Sequence, residues 1–413
     1  MSDINVIGDV MKEVVITQPE FMRQFRCTGS ECKDHCCQRW DVVLDKSTYN
    51  KYIKSTDIEI RHIASNSIEP LKKNHDKWAK ITLSDQGLCP FLDKDRLCNV
   101  YKKMGEKALS HTCTTYPRTT IFFKNLERKS LSLSCPEAVR LLLSGPEAMN
   151  VDEYKEIRVS LNNANADISL REKIINLMCS NLLMVSQDNI EHNLYAVALF
   201  LLFLKDLNLE SDSFESNFPK IEQYFHQLLQ VLESNGMASH MASMPKDAKT
   251  QYLLLLRVQS YMRQAPEARG RKTLLTYLDK THHFISQDRD FVLDNMLKLN
   301  QEYDDKVRPW LVERDFLWRN YFLYRFYHDG FPYGRGRAVM ENFYLLVSEY
   351  FIMRSLLAAH AHDVGHIDQD SIIDVMYSFH TLIQHNASST NKFLNEIEQV
   401  KTNDELFALQ LLI

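Results

Sequence analysis

The sequence lacks any run of apolar residues that is long enough to cross a membrane. Its longest apolar run, from Leu194 to Leu204, has eleven residues, whereas a membrane-spanning helix needs about 20. The stretch from Met1 to Val15 also lacks the charged start, the apolar run and the small-residue cleavage site of a secretory signal. These absences predict a soluble, cytoplasmic protein that has no membrane partner.

An excess of positive charge is also absent. The 49 Lys and Arg residues are outnumbered by 54 Asp and Glu residues, which gives a formal net charge of −5. A protein that binds nucleic acid typically presents a basic face or stripe to the phosphates. The composition therefore argues against nucleic acid as a partner.

Two motifs that would locate a nucleotide or a methyl donor are missing. The Gly-rich strand-to-helix fingerprint of dinucleotide-binding proteins is absent, and the nearest sequence, 334–336, lies in a predicted turn between helices. The three-cysteine spacing of radical S-adenosylmethionine enzymes is broken, because Cys37 directly follows Cys36 and position 39 is Arg. The sequence thus gives no location for a methyl-donor site.

The length and the change of pattern along the chain predict two parts. A chain of 413 residues with 45% hydrophobic and 25% charged residues can form two or three domains. The first part is polar, turn-rich and interrupted by cysteines, and Ser144-Gly145-Pro146 marks its end. We therefore predict a mainly α protein in which a small cysteine-rich metal-binding domain, residues 1–150, precedes a helical domain, residues 151–413.

Start and stop signals predict several helices in the second part. Ser169 and Glu172 have the spacing of a capping box. Pro219 stands at a predicted first helical position, and Asn235-Gly236 predicts the end of that helix. Residues 236–250 lack periodicity and predict a mobile loop. Amphipathic patterns predict further helices at 253–263, 291–299, 342–359 and 372–383.

An aromatic stretch at residues 316–331 has two interpretations. Its Trp, Tyr and Phe residues recur at helical spacing, which favours a buried helix surface over a cofactor site. Arg319, Asn320 and Arg325 within this stretch are polar residues that would line a cleft or lie on a solvated face. The sequence does not decide whether these three side chains line a cleft or face the solvent.

The cysteines are concentrated in the first part of the chain. Eight of the nine lie before residue 136, and only Cys179 lies beyond it. In a reducing compartment this concentration argues for metal binding rather than for disulfides. Closely spaced thiolates can converge on one metal centre, and soft thiolate ligands select zinc, copper(I) or iron–sulfur clusters. The predicted metal ligands are Cys27, Cys32, Cys36, Cys37, Cys89, Cys98, Cys113 and Cys135.

Three interpretations of these thiols stay open. An iron–sulfur cluster needs four ligands, so eight thiols allow two centres or leave some thiols for packing or redox roles. A structural zinc site would hold the same turn-rich segment together with four thiolates. The third interpretation is metal-free packing of all eight. Spacing and compartment together favour the iron–sulfur cluster.

The motifs around these cysteines resemble those of a known bacterial family. The first cluster, from Cys27 to Cys37, resembles the CxxxCxxCC-type signature of a zinc- or iron-chelating domain family, with four and then three residues before the final pair. The motifs at 89–92, 98–101 and 113–117 continue the resemblance. Together with the motifs at 134–138 and 319–322 and the helical second part, they make the whole chain resemble the flagellin lysine N-methylase branch of that family.

This resemblance implies a function, a substrate and two cofactors. A member of the branch transfers methyl groups from S-adenosylmethionine to surface lysines of flagellin and requires a [4Fe-4S] cluster. Lysine methylation needs a neutral amine, so the site must desolvate the ammonium or supply a base. Candidate bases near the thiols are His35, Tyr101, His111 and Tyr116, and Arg118 is a candidate for binding the carboxylate of the methyl donor.

Two rival functions are also compatible with the sequence. In the first, zinc only stabilises the cysteine-rich part, and the protein binds flagellin or another partner without catalysis. In the second, the surplus thiols make the chain an electron-transfer or redox-sensing protein. The sequence contains no motif for a second redox cofactor, which argues against the second rival.

Overall fold

The computed structural model describes residues 11–159, 167–207, 214–287, 289–383, 387–401 and 405–413. Helices make up most of the described chain, which confirms the predicted mainly α class, and two small sheets lie in the N-terminal part. The strands are β1 (Met11–Pro19), β2 (Val43–Leu44), β3 (Ile68–Pro70), β4 (Ala79–Ile81), β5 (Arg118–Phe122), β6 (Leu126–Leu131) and β7 (Val151–Val159).

The helices follow in chain order, with short 3₁₀ turns between some of them. They are α1 (Glu20–Gln24), α2 (Lys46–Ile53), α3 (Ile58–Ser67), α4 (Asn99–Met104), α5 (His111–Thr115), α6 (Pro136–Leu142), α7 (Leu170–Met184), α8 (Ile190–Asp206), α9 (Phe214–Glu233), α10 (Gly236–Ala242), α11 (Ala248–Gln264), α12 (Arg271–Ile285), α13 (Val292–Glu302), α14 (Arg308–Val312), α15 (Phe316–Asp329), α16 (Val339–Val364), α17 (Gln369–Ile383) and α18 (Ala387–Glu398).

The larger sheet joins the two predicted parts of the chain. Its strand order is β5-β6-β1-β7, in which β1 runs parallel to β6 and antiparallel to β7. The register of the antiparallel pair runs from Met11 opposite Val159 to Pro19 opposite Val151. Residues on both sides of the predicted domain boundary therefore share one sheet, and the boundary itself stays a prediction.

Two apolar cores organise the described part of the chain. The larger core extends from Phe21 and Phe25 through α6 to the helices of the second part. The smaller core lies between Val42 and Ala108 and includes the second sheet, β2-β4-β3. Cys89 and Cys98 are partly buried and pack against this smaller core. The cysteine loops are thus supported by apolar contacts of their own, while an independent cysteine-rich domain stays a prediction.

Several helix boundaries are those that the sequence predicts. The capping box is confirmed, because the Glu172 N–H donates to the Ser169 hydroxyl (3.2 Å) and the Ser169 N–H donates to the Glu172 carboxylate (2.8 Å). The end of α9 is also confirmed, since Asn235 just beyond it has a left-handed backbone with a φ of 56°. The four amphipathic ranges lie within α11, α13, α16 and α17, except that Phe291 directly precedes α13, and the helices extend up to five residues beyond the predicted ends.

Two predictions in this part are wrong. Pro219 lies inside α9 rather than at its start, because the helix already begins at Phe214, whose side chain is buried. The predicted loop at 236–250 contains α10 and the start of α11, because Met237 and Met241 lie one helical turn apart and are both buried. Burial against neighbouring helices decides both cases, and the local sequence does not reveal it.

The centre of the larger core is built from α15 and α16. The aromatic stretch is a buried helix surface, as predicted, and Arg325 within it is also buried. Helix α16 is buried over most of its length and ends before Gly365, whose φ of 82° favours glycine. Across the described ranges we find no helix of the length and hydropathy that a membrane span requires.

Candidate functional site

The cysteine loops meet beside the smaller core. The Cys89 N–H donates to the Cys37 carbonyl (3.0 Å), which joins the first cysteine cluster to the motif at 89–92. Cys98 stands at the start of α4 and forms an isolated β-bridge with Leu92. Backbone pairing therefore brings cysteines that are distant in sequence into one region.

Four thiols in this region act on one another electrostatically. Burial raises the pKa of Cys89 to about 12, and the thiols of Cys113, Cys98 and Cys36 contribute to the increase. Desolvation raises the pKa of Cys113 to about 11, again with contributions from Cys36 and Cys98. Burial and Cys36 also raise the pKa of Cys98. Because Coulomb interactions of this kind weaken with distance, the four sulfur atoms lie near one another.

The adjacent pair behaves differently from the other thiols. A hydrogen bond between the two side chains lowers the pKa of Cys36 and raises the pKa of Cys37. The guanidinium of Arg269 lowers the pKa of Cys36 further. Cys36 therefore ionises before Cys37, and the thiolate is the form that binds metal ions and reacts with electrophiles.

The chemistry of this donor set matches a soft metal or an iron–sulfur cluster. Closely placed thiols are the ligands that such centres select, and a bound cation would offset the cost of ionising several thiols together. Within the described residues, however, no three Cys, His, Asp or Glu side chains are arranged to hold a metal ion. The structure thus places five thiols in one region, those of Cys36, Cys37, Cys89, Cys98 and Cys113. Their role as metal ligands stays a prediction.

The remaining cysteines differ in their surroundings. Cys27 is exposed, and Cys32 is influenced by Cys36 and Cys27, although burial is the main cause of its raised pKa. Cys135 precedes α6, and burial raises its pKa to about 12. Cys179 is fully buried in the larger core, where it packs as a small apolar residue.

A buried arginine joins the cysteine loops to the helical part. Arg269 precedes α12, is 7% exposed and donates to the Tyr116 hydroxyl and to the Ser134 carbonyl. Its Nε lies 3.7 Å from Asp34 Oδ2, while Asp34 Oδ1 accepts a hydrogen bond from Gln38 (2.5 Å). The sequence analysis missed Arg269, because 135 residues separate it from Ser134 and no local motif marks it.

Two of the candidate bases lie at the junction, the region where Arg269 contacts Asp34, Tyr116 and Ser134. Tyr116 contacts Arg269 and packs edge-on against Trp40, with 4.8 Å between the ring centroids. His35 is half-buried, and its buried Nδ1 has no hydrogen-bond partner. Burial lowers the pKa of His35, and the guanidinium groups of Arg96 and Arg269 lower it further. His35 is therefore neutral at neutral pH and able to accept a proton.

The other candidates lie outside the junction. Tyr101 is 56% exposed, and His111 is exposed at the start of α5. Arg118 is also exposed and stacks over the Phe25 ring at 5.1 Å. The structure therefore brings His35 and Tyr116 together with the buried arginine and separates the solvent-facing candidates from it.

Comparison with known proteins shows the family of the chain. Residues 176–412 match the family model of the FliB lysine N-methylase C-terminal domain. The chain is 34% identical to a lysine-N-methylase of Salmonella typhimurium, over 97% of the chain and 100% of that protein. It is also 34% identical to a lysine-N-methylase of Salmonella choleraesuis, with the same two coverages.

A further relative covers less of the chain. The flagellar biosynthetic protein FliU of Salmonella muenchen is 51% identical over 35% of the chain and 86% of that protein. No solved structure matches the chain. Because the family model spans more than half of the chain and the two lysine-N-methylases are matched along their whole length, the chain belongs to the FliB lysine N-methylase family and is a protein-lysine N-methyltransferase.

Proposed function

We propose that this enzyme transfers methyl groups from S-adenosylmethionine to lysine side chains of flagellin, and that it depends on a [4Fe-4S] cluster held by the cysteine loops. The observation that carries the proposal is the mutual electrostatic influence of Cys36, Cys89, Cys98 and Cys113. The flagellin target is supported by the FliB family and by the relative named as a flagellar biosynthetic protein.

The residues at the junction suit the proton chemistry of lysine methylation. The amine must be neutral when it meets the electrophilic methyl group, so its proton has to be accepted nearby. His35 carries an unpartnered Nδ1 and is neutral at neutral pH because its pKa is lowered. Arg269 holds Asp34 and Tyr116 against the helical part, which makes it a positioning residue.

Four of the five grouped thiols would hold the cluster. The candidates are Cys36, Cys37, Cys89, Cys98 and Cys113, and Cys36 ionises before its neighbour Cys37. A [4Fe-4S] cluster held by four thiolates would supply one-electron redox chemistry. Zinc is the alternative occupant of these thiols, and it would only fix the geometry of the loops.

The test uses the complete protein purified without oxygen. We expect iron and acid-labile sulfide in the protein, together with visible absorption from the cluster. Incubation with S-adenosylmethionine and unmodified flagellin should add mass to flagellin in steps of one methyl group, localised to lysines by peptide mass spectrometry. An unrelated lysine-rich protein serves as the control substrate and should remain unmodified.

Each part of the proposal can fail separately. A colourless protein that contains stoichiometric zinc and still methylates flagellin would refute the cluster. A protein that methylates lysines of the control substrate as fast as those of flagellin would refute flagellin as the specific target. An iron-loaded protein that binds flagellin tightly without modifying it would refute flagellin as a methylation substrate.

A further inference from the structure

Strand β7 forms one edge of the larger sheet, and none of the described strands lies beyond it. It pairs with β1 without interruption over nine residues, from Val151 to Val159. Its side chains are exposed from Val151 to Ile157, apart from the half-buried Glu156. A strand of this kind presents a row of unpaired backbone N–H and C=O groups to a further strand.

The backbone groups that face this edge can be identified from the pairing with β1. The Glu20 N–H donates to the Asn150 carbonyl (2.9 Å), and these two residues continue the register of β1 with β7 by one position. Residues of an antiparallel strand alternate between those that bond to the partner strand and those that face away from it. The even-numbered residues of β7 therefore bond to β1. The backbone groups of the odd-numbered residues point outwards, namely those of Val151, Glu153, Lys155 and Ile157.

The features that usually protect an edge strand are weak or missing in β7. Natural edge strands are commonly protected by a proline, a bulge or a lysine. β7 contains no proline, and its continuous register with β1 leaves no bulge. A lysine is present, Lys155, but Glu153 stands two residues before it on the same face of the strand. The outward-facing residues therefore carry both signs of charge.

We propose that β7 pairs with β7 of a second copy of this chain, antiparallel and with the two Tyr154 residues opposite each other at the two-fold axis. In this register Glu153 lies opposite Lys155 of the partner subunit, and Val151 lies opposite Ile157 of the partner subunit. Symmetry makes each pair occur twice, because the order apolar, acidic, basic, apolar is its own complement when it is read antiparallel. All four pairs use residues whose backbone groups point outwards, so the same register also satisfies the free N–H and C=O groups of the edge.

The uncharged side chains suit this register. Val151 is 45% exposed and Ile157 is 70% exposed, and each would cover the other across the interface. Pairs of β-branched residues directly opposite each other stabilise a sheet. Tyr154 lies on the other face of the strand, where its hydroxyl accepts a hydrogen bond from Lys129 (3.1 Å). Its ring would meet Tyr154 of the partner subunit at a position without backbone hydrogen bonds, where opposite side chains lie closest.

The charge on Glu153 has no partner of opposite sign within one copy. Among the described residues it forms no ion pair, whereas Lys155 contacts Glu13 on β1 (2.9 Å). In the dimer Lys155 would lie between Glu13 of its own chain and Glu153 of the partner subunit. The second copy thus supplies the cation that Glu153 lacks.

The charges on the other face of β7 are paired within each copy. Asp152 pairs with Arg23 (3.3 Å). Glu156 pairs with Arg158, which also contacts Glu127 (2.6 Å). In the proposed register Asp152 lies opposite Glu156 of the partner subunit, and the arginine beside each carboxylate offsets their repulsion.

The opposite edge of the sheet does not have this pattern. Strand β5 is also exposed over most of its length, but Arg118 is its only charged residue. Pairing β5 with itself would therefore bring no opposite charges together. Charge complementarity selects β7 as the edge that meets a second copy.

The test measures the mass of the complete protein in solution by sedimentation equilibrium over a series of micromolar concentrations. A reducing agent is present, because Cys27 is exposed and could otherwise link two copies through a disulfide. One strand pair makes a small interface, so we expect a reversible equilibrium between monomer and dimer with a Kd in the micromolar range. A monomer throughout the series would overturn the proposal.

Two charge reversals test the register. Glu153→Lys places two lysines opposite each other, and Lys155→Glu places two carboxylates opposite each other. Each variant should raise the Kd of the dimer at least about tenfold, because like charges directly opposite are destabilising. An equimolar mixture of the two variants should dimerise again, since every reversed charge then meets its opposite. The matched control is Lys298→Glu on α13, which makes the same charge change at an exposed position and should keep the wild-type Kd.

A backbone variant tests the hydrogen bonds separately from the charges. Ile157→Pro removes an outward N–H group but no hydrogen bond to β1, so it should abolish the dimer and leave urea unfolding of the monomer nearly unchanged. If both charge variants keep the wild-type Kd, or if Lys298→Glu weakens the dimer equally, the proposal is overturned. If the wild type is a monomer and Lys155→Glu loses binding to flagellin, the edge is a docking strand for the substrate and the dimer is refuted.

Discussion

Replacing Arg269 with Met should destabilise the protein strongly, because it breaks the contact between the cysteine loops and the helical part. Asp34 is buried, and without Arg269 its carboxylate loses the nearer guanidinium and keeps the hydrogen bond from Gln38 and the weaker attraction of Arg96. The Tyr116 hydroxyl and the Ser134 carbonyl each lose a charge-assisted hydrogen bond. Removing one partner from such a buried pair costs about 3–5 kcal/mol. That is a large fraction of the stability of a folded protein, which is about 5–15 kcal/mol.

Urea unfolding of the Arg269→Met variant measures this loss directly. The matched control is Arg140→Met, since Arg140 is half-exposed and pairs with Glu137 at the protein surface. Such a surface ion pair contributes about 1 kcal/mol or less. A double-mutant cycle with Asp34→Asn should show a coupling of about 0.5–3 kcal/mol between the two positions. If Arg269→Met cost no more than Arg140→Met, the junction would not depend on the buried arginine.

Three further predictions concern the thiols, the buried carboxylate of Glu191 and helix α10, which the sequence predicts as a loop. Cys36→Ser or Cys37→Ser should lose bound iron, because oxygen replaces thiolate poorly on iron, whereas Cys179→Ser should retain it; the opposite pattern in iron analysis would contradict the ligand assignment. The pKa of Glu191 is held at about 2, since arginines favour its carboxylate despite burial. The ionised carboxylate should contribute roughly 3 kcal/mol to the free energy of unfolding above pH 4.5, the ordinary pKa of Glu, and this contribution should disappear as the pH falls towards 2. In urea unfolding, the stability of Glu191→Gln should not show this loss at acid pH. Met241→Ala should cost about 2–5 kcal/mol in the same assay if α10 packs as described, and no measurable change would favour the loop.

Much of the helical architecture could be predicted from the sequence, because it depends on local signals. The capping box at Ser169 and the left-handed residue Asn235 act within a few residues of the helix ends that they define. Pro219 misled the prediction for a physical reason: burial of Phe214 extends the helix beyond the position where a proline is most easily accommodated. Tertiary burial is invisible to a local pattern.

The candidate sites were harder to predict, and the reason is distance along the chain. The spacing of the cysteines drew attention to eight thiols because their motifs are short and local, and five of these thiols lie near one another beside the smaller core. Arg269 carries no motif, and its role arises from contacts with residues far away in sequence. His35 was a candidate only because it lies inside a cysteine motif. Its lowered pKa comes from Arg96 and Arg269, which the sequence could not place beside it.

The pairing of β1 with β7 has a consequence for how the chain folds during synthesis. β1 ends at Pro19, and its antiparallel partner begins at Val151, so the ribosome must add more than a hundred residues before the pair can form. At about 5–20 residues per second this takes on the order of ten seconds. The cysteines from Cys27 to Cys135 are synthesised within that interval, and all of them precede the strand that completes the sheet. The thiols of the nascent chain are therefore available to a metal centre before β7 completes the sheet.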